Sequence, residues 1–370
     1  MDSSIDAISS IVRINARFPP TISKKNDKIY LKLLINLTSE FNENAEELIF
    51  DYKFEVKLIF LSDQRIFVIK VSSTPYSYIL YIDITNSRPS NDDYKLHIYP
   101  SPDNIMNRSR VLILDLITES LILDSNYNIT SDIKLYNHRN VPTVNTDKQL
   151  TPVSVLIKEE YGKSIGHHIY DASIIFLRFF STLNLPVYNP LDTTDNTHSN
   201  VLVELGAGCG VVGIALSKHF KHTILTDLPS QMDIIQDNIL LNSSNLLLSG
   251  GGVQTCQAVV LDWSKVDETL NIKSGLGHEP NTDNTSKGND NKLVIDVIIA
   301  SDVLYDRDAA EQCIACIKRL YTINHTKVYI SQKMRNETSK NRFQLKDCFG
   351  ISVVQVYEEA SCVVWSLSFT

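Results

Sequence analysis

Long apolar runs are missing from this 370-residue chain. No stretch reaches the ~18 consecutive apolar residues that a membrane-spanning helix needs, so no membrane span is expected. No secretory signal is expected either. Met1-Asp2-Ser3-Ser4-Ile5-Asp6 places acids where a basic region should precede an apolar core. Positive charge is in short supply, with 35 Lys and Arg against 43 Asp and Glu and a net charge of −8. No basic stretch offers a track for phosphates, which argues against a nucleic-acid substrate, while the acidic balance suits a basic protein partner. The six cysteines are scattered. Cys313-x-x-Cys316 falls on an expected helix with no second pair at zinc-like spacing, so neither a metal site nor a disulfide framework is expected. Packing thiols in a reducing compartment, the cytoplasm or also the nucleus, account for them.

Glycine is sparse as well, at 13 residues, yet four of these fall between Gly206 and Gly213. Val201-Leu202-Val203-Glu204-Leu205 reads as a buried parallel strand, and the glycines force a tight turn into a helix beginning near Val211. A nucleotide-like ligand can lie directly against such a turn, because no Cβ stands in its way. The spacing Gly208-x-Gly210-x-x-Gly213 also fits the dinucleotide fingerprint, so the glycines alone leave the ligand open. Glu204 tips the balance. It sits at the carboxyl end of the strand, where open α/β sheets bind ligands. A carboxylate there repels a pyrophosphate and attracts the cationic amino group of S-adenosylmethionine.

Residues 222–227 read as the next strand, again ending in a carboxylate. Asp227 lies about 20 residues past the turn, a position suited to holding ribose hydroxyls. Its other reading is an N-cap for a helix starting near Ser230, with Pro229 just inside that start. Ile234, Ile235, Ile239 and Leu240 have helical spacing over 231–242. Gly250-Gly251-Gly252 break the chain before a third strand, 254–261, which ends in Asp262-Trp263. A carboxylate there suits the exocyclic amine of adenine and an indole suits its ring face; simple packing of the Trp is the alternative. Residues 293–300 form the most apolar strand and run into Ser301-Asp302-Val303-Leu304-Tyr305. A carboxylate and a phenol three residues apart, just beyond a central strand, stand where substrate and cofactor should meet. The plain alternative is an N-cap Asp followed by a packed Tyr.

A helix at 309–321, a strand at 327–332, a helix at about 339–349 and strands at 351–357 and 362–369 complete the order. Glu358-Glu359-Ala360-Ser361 is too short for a parallel crossover, so the last two strands pair antiparallel. The fold class is α/β, a Rossmann-like seven-stranded sheet with an antiparallel C-terminal hairpin, preceded by a β-rich N-terminal domain. The terminal hairpin sets it apart from an ordinary dinucleotide-binding sheet.

From about Val153 to Thr370 the chain resembles the seven-β-strand protein-lysine methyltransferases of the methyltransferase-like 21 group. The residues that carry the likeness are E-L-G-A-G-C-G at Glu204 to Gly210, T-D-L at Thr226 to Leu228, N-I-L-L-N at Asn238 to Asn242, L-D-W at Leu261 to Trp263 and D-V-L-Y at Asp302 to Tyr305. Gly250-Gly251-Gly252 and the long N-terminal extension resemble the methyltransferase-like protein 22 branch. The resemblance implies S-adenosylmethionine as cofactor and a lysine of a protein as acceptor. It implies cofactor contacts from Tyr170, Glu204, Gly206, Gly208, Asp227, Leu228, Asp262, Trp263 and Ser301. The family's Val-Trp-Asp-Ala-Ala-like segment here reads Ile169-Tyr170-Asp171-Ala172-Ser173 and opens a helix to about Leu183. Tyr170 thus replaces a Trp expected over the methionine part of the cofactor, with a smaller stacking area.

Methyl transfer from a sulfonium is an in-line displacement, so the enzyme supplies mainly orientation and a desolvated channel. A lysine, with an ordinary pKa of about 10.4, must lose its proton before attack. Asp302 is expected to grip the amine and Tyr305 to shape the entrance, with cofactor contact or fixing of the loop as the other readings of Asp302; the proton acceptor stays open, and water is adequate. The polar insertion 273–292 cannot build a core and reads as a disordered loop.

Residues 20–150 differ in kind. Runs at 28–36, 48–61, 65–72, 76–85, 94–99 and 110–123 are β-branched or aromatic-rich and closely connected, which indicates an antiparallel β-rich unit. Residues 1–15 read as a short helix and 130–149, with Pro142, as a linker, so the domains divide as 1–150 and 151–370. The first is expected to recruit substrate or partner, or to cap or dimerise the second. Two other functions remain open: a non-catalytic adaptor retaining the fold, or a methyltransferase acting on histidine or a small molecule. A dehydrogenase is disfavoured by Glu204 and the hairpin.

Overall fold

A computed structural model describes residues 10–16, 21–38, 54–60, 64–69, 77–85, 93–100, 111–118, 121–122, 126, 129, 136–142, 154–160, 163–183, 185, 200–243, 255–265, 294–335, 345 and 350–369. They fall into two compact units, one within residues 1–141 and 156–164, the other within 142–155 and 165–370.

In the first unit the strands are β1 (Ser10–Ala16), β2 (Thr21–Lys25), β3 (Lys28–Thr38), β4 (Phe54–Phe60), β5 (Gln64–Ile69), β6 (Ser77–Asp83), β7 (Asp93–Pro100), β8 (Val111–Leu114), β9 (Leu116–Ile117), β10 (Leu121–Ile122), β11 (Tyr136–Pro142) and β12 (Ser154–Glu160). One sheet runs β2-β3-β1-β8, with β6 also on β3; the other runs β12-β11-β9-β7-β4-β5, with β10 on β7. On β3 the buried side chains Leu31, Leu33, Ile35 and Leu37 alternate with half-buried ones, the period-2 signature of a strand with one core face.

Four sequence expectations change here. Residues 10–15 are strand, not helix: β1 lies between β3 and β8, and pairing on both sides overrides local propensity. The β1–β8 pair is parallel, so the unit is not wholly antiparallel. The run 110–123 is three strands, because the chain leaves the first sheet after Leu114 and enters the second at Leu116. The stretch read as a linker contains β11, and β12, placed after the boundary at 150, is a strand of the same sheet.

Where the chain changes sheets, backbone carbonyls lose their ladder partners, and Arg139 of β11 supplies donors. Its Nη1 donates to the carbonyls of Ile14 (3.0 Å) and Asp115 (2.7 Å). Its other nitrogens donate to Asn15 Oδ1 and to Glu159, all of it fully buried. A buried charge survives only when paired and fully hydrogen-bonded in this way.

In the second unit the strands are β13 (Val201–Leu205), β14 (His222–Asp227), β15 (Thr255–Val260), β16 (Val297–Ser301), β17 (Lys327–Lys333), β18 (Ile351–Glu359) and β19 (Cys362–Phe369). The helices are α1 (Asp171–Thr182), α2 (Val211–Leu216), α3 (Met232–Leu241) and α4 (Arg307–Leu320). The sheet order is β15-β14-β13-β16-β17-β19-β18, parallel through β17 and antiparallel for the last two pairings. β13 at the centre is buried along its whole length, as a strand covered on both faces must be. Ala310, Cys313, Ile314, Ile317 and Leu320 of α4 share one core with Val201, Val203, Ile298 and Val328. Each large aliphatic side chain so buried contributes about 1.5–3 kcal/mol.

β16 begins later than the apolar run at 293–300 suggests, because Asp296 turns back to accept the N–H of Val201 at 2.6 Å. The β18–β19 connection is tighter than four residues: Ala360 and Ser361, at φ 48° and 59°, form the turn alone. Two positive φ values match the twist a two-residue hairpin requires. Arg178 of α1 clamps Glu359 beside that turn with bonds of 2.7 and 2.9 Å. Most of the helix expected at about 339–349 and the insertion 273–292 lie outside the described residues.

Candidate active site

The site is assembled at the carboxyl ends of β13, β14, β15 and β16. Beyond Leu205, Gly206 and Gly208 take φ values of 65° and 56°, which side chains with a Cβ rarely adopt. Space forbids a Cβ as firmly as conformation does. At Gly206 it would lie 2.9 Å from Val303 Cγ1 and 3.1 Å from the indole of Trp263; at Gly208 it would lie 2.7 Å from the carbonyl oxygen of Gly166.

Asp227 closes the turn from the next strand. Its Oδ2 accepts the N–H of Gly208 and its Oδ1 that of Leu228, both at 2.7 Å. Burial pushes this carboxyl up, and the two backbone donors pull it back. It is not an N-cap: a 3-10 turn, Pro229–Gln231, leads into α3, whose N-cap position is Gln231. Each oxygen keeps a second lone pair for a further donor. Leu228 itself is exposed at the rim.

Glu204 meets a different geometry from the one its sequence position suggests. Its carboxyl is 1% exposed and turned beneath the turn, where Oε2 accepts the N–H of Gly213 at 2.9 Å. Burial, with the Asp227 charge adding to it against the Gly213 bond, pushes its pKa up to about 8. A group so held is largely neutral near pH 7 and props the turn; it does not present an anion at the mouth.

Trp263 is half-buried, packed on the core beside Gly206, and its buried Nε1 has no hydrogen-bond partner among the described residues. Asp262 accepts the Ser264 N–H and hydroxyl at 3.0 and 2.7 Å, which holds its carboxyl below the usual range. Ser301 shares a hydrogen bond of 3.0 Å with Ser173 of α1. Tyr170 stands at the N-cap position of α1, and its phenol donates to the carbonyl of Ile165 at 2.8 Å. That bond closes a 3-10 turn, Ile165–His167, which rests on the glycine turn through Gly166. Sequence reasoning missed Gly166; the only signal was a lone glycine ahead of the Tyr-Asp-Ala segment.

Asp302 has φ 57°, and its side chain is nearly buried. Arg335 takes both oxygens, Nη1 to Oδ1 at 2.9 Å and Nη2 to Oδ2 at 2.5 Å. Gln332 Nε2 also reaches Oδ1 at 2.5 Å, while its Oε1 accepts the N–H of Leu304 at 3.0 Å. This clamp bends the chain so that Val303 meets Gly206 and Tyr305 stands 64% exposed. The helix cap belongs to Asp306, which accepts the N–H of Ala309 at 2.9 Å, and not to Asp302. Gln332 and Arg335 had no sequence signal, lying some 30 residues beyond the motif they hold.

The residues present fit S-adenosylmethionine. Gly206 and Gly208 leave bare backbone, Asp227 retains acceptor capacity for hydroxyls, and Trp263 offers a ring face and an orphaned donor. No cluster of metal ligands occurs among the described residues. A seven-stranded sheet with an antiparallel terminal hairpin, carrying this turn and clasp, defines a Rossmann-like S-adenosylmethionine-dependent methyltransferase.

Comparison with known proteins narrows the class. The lysine methyltransferase family matches residues 149–274 and 282–347, more than half of the chain. The chain belongs to that family. It is 26% identical over 189 residues to EEF1A lysine methyltransferase 3 of Xenopus tropicalis, covering 50% of this chain and 67% of that protein. The Mus musculus protein of the same name is 23% identical over 189 residues, covering 50% of this chain and 65% of its own length. A UPF0665 family protein of Schizosaccharomyces pombe is 26% identical over 184 residues, with 49% and 46% covered. The matched region thus spans between about half and two thirds of these relatives. Among solved structures, a putative transferase from Pyrococcus horikoshii gives a TM-score of 0.34 at 13% identity, covering 67% of this chain and 76% of that one.

Proposed function

We propose that this protein transfers methyl groups from S-adenosylmethionine to a lysine side chain of another protein. The observation that carries the reading is the clasp of Asp227 on Gly208, with Trp263 against Gly206 and Tyr305 at the rim. In this reading Gly206, Gly208, Asp227 and Leu228 hold the nucleoside, Asp262 and Trp263 border its base, and Tyr170 and Ser301 border the amino-acid end. Bound there, S-adenosylmethionine supplies an electrophilic methyl group on a cationic sulfur.

The chain's own residues orient and exclude. Val303 and Trp263 keep water from the glycine turn. The Asp302–Gln332 clamp holds Tyr305 where an incoming side chain passes, and no residue is required as a base once the amine arrives neutral. Tyr305→Ala is expected to lower kcat/KM for the protein acceptor by at least roughly tenfold, about 1.4 kcal/mol of transition-state stabilisation. Affinity for S-adenosylhomocysteine should stay within twofold of the parent, as titration calorimetry would show.

EEF1A, named in two of the relatives, is the first acceptor to test. The net charge of −8 supports a basic protein partner over nucleic acid. No helix among the described residues is long and apolar enough to cross a membrane. We propose a reducing compartment, the cytoplasm and nucleus, a reading supported by thiols in place of disulfides at Cys209, Cys256, Cys313, Cys316 and Cys362. The β-rich unit is read as the recruiting module.

The deciding experiment incubates purified protein and labelled cofactor with EEF1A and with lysate from cells lacking the protein, then maps the label by mass spectrometry. Methyl-lysine is expected. Label on histidine or on small molecules would move the acceptor. Cofactor binding with no label anywhere would make the chain an adaptor.

A further inference from the structure

The carboxylate best placed to hold a lysine already has a cation. Arg335 grips Asp302 in the two-pronged geometry that makes guanidinium–carboxylate pairs strong, and the pair is mostly buried, with side-chain exposures of 20% and 5%. Oδ1 carries Gln332 Nε2 as well, and the Lys333 N–H lies 3.3 Å away. An ammonium reaching Asp302 must either displace the guanidinium or share the carboxylate with a like charge. Both are unfavourable in a site screened from water.

Among the described residues, the acid nearest Asp302 at that depth is also paired. Lys333 of β17 pairs with Asp171 at the start of α1, so the two cations at the end of β17 each have a carboxylate. Nearer the rim, Tyr305 is a neutral phenol, its ionisation opposed by partial burial and by the charges of Asp227, Asp306 and Asp302. Asp306 caps α4 and Asp227 clasps the glycine turn. Negative charge therefore stands exposed at the rim on Asp306, where it draws a lysine in, and is paired deeper at Asp302, where the amine must react.

We infer that Arg335 is a positioning residue of the acceptor site: by neutralising Asp302 it makes the site receive the lysine as a free amine instead of holding it as an ammonium. The proton leaves to solvent between the rim and Asp302. This inference rests on the lysine-transfer reading above.

The test compares the pH profile of kcat, the KM for the methyl-accepting protein and calorimetric affinity for S-adenosylhomocysteine. The chains compared are the parent, Arg335→Gln, Asp302→Asn and the double variant. Arg335→Gln leaves Asp302 bare, so the ammonium is held. Its KM should not rise, kcat near neutral pH should fall by roughly tenfold or more, and the acidic limb of kcat should move up by about one pH unit. In the double variant the limb should return to the parent's position, with cofactor affinity retained throughout. Where Arg335→Gln does not fold, Arg335→Lys serves. It keeps the charge, so the limb should stay in place while kcat drops with the lost second prong.

A uniform fall in kcat at every pH in Arg335→Gln overturns the proposal. So does a shift that persists in the double variant, or a moved limb in Arg335→Lys. A parent chain that methylates no lysine overturns the lysine-transfer reading instead, and this inference falls with it.

Discussion

Gly208→Ala is expected to bind S-adenosylhomocysteine at least a hundredfold more weakly than the parent chain. An alanine at φ 56° sits in the left-handed region at a cost of about 1–2 kcal/mol. Its Cβ would stand 2.7 Å from the carbonyl oxygen of Gly166, a backbone atom that cannot rotate away. The strain is relieved by moving the turn, and moving the turn breaks the 2.7 Å bond from Gly208 N–H to Asp227, one of the charge-assisted bonds worth about 1.5–3 kcal/mol. A loss near 3 kcal/mol is about two decades in affinity. Gly166→Ala is the control. Its Cβ would meet the amide end of Gln231 at 2.7 Å, which a rotamer change can clear, so the effect should be far smaller. Calorimetry on both variants decides. Affinity in Gly208→Ala within threefold of the parent would remove the clasp from the binding site.

Glu204→Gln should flatten the dependence of stability on pH. The carboxyl has an ordinary value of 4.5, and burial raises it to about 8 in the folded chain. Below about 4.5 both folded and unfolded chains carry the proton. Between 4.5 and 8 the unfolded chain releases it while the folded chain keeps it, so stability falls as pH rises, by up to about 1.4 kcal/mol per unit. Above 8 the whole loss, at most about 5 kcal/mol, is present. Glutamine cannot ionise, and its carbonyl can still accept the N–H of Gly213 that Glu204 now accepts at 2.9 Å. The parent and variant should melt close together at pH 4.5 and below, and the variant several degrees higher at pH 8.5. Melting curves that stay parallel across this range would show that Glu204 is already ionised in the fold.

The second unit was the more legible half. Strand periodicity and glycine placement located β13, β14, β15 and β19 within a residue or so, because fully buried parallel strands are short apolar runs closed by turn residues. The β-rich unit was legible only as a class. β1 reads locally as helix and becomes strand through neighbours distant in sequence. β11 hides in a polar stretch because one of its buried residues, Arg139, is a charged side chain serving the carbonyls of Ile14 and Asp115.

By itself, the sequence determined the order of strands and helices in the second unit, the antiparallel hairpin and the positions of Gly206, Gly208, Asp227, Trp263 and Tyr305 at the sheet's edge. These depend on local rules: apolar period, turn length and the need for a residue without Cβ. Only the tertiary structure decided which carboxylates face inward. Glu204 is turned under helix α2 and made largely neutral, and Asp302 is already bound by Arg335. The charge state of an acid depends on its burial and on partners brought from distant parts of the chain, and no local pattern encodes either.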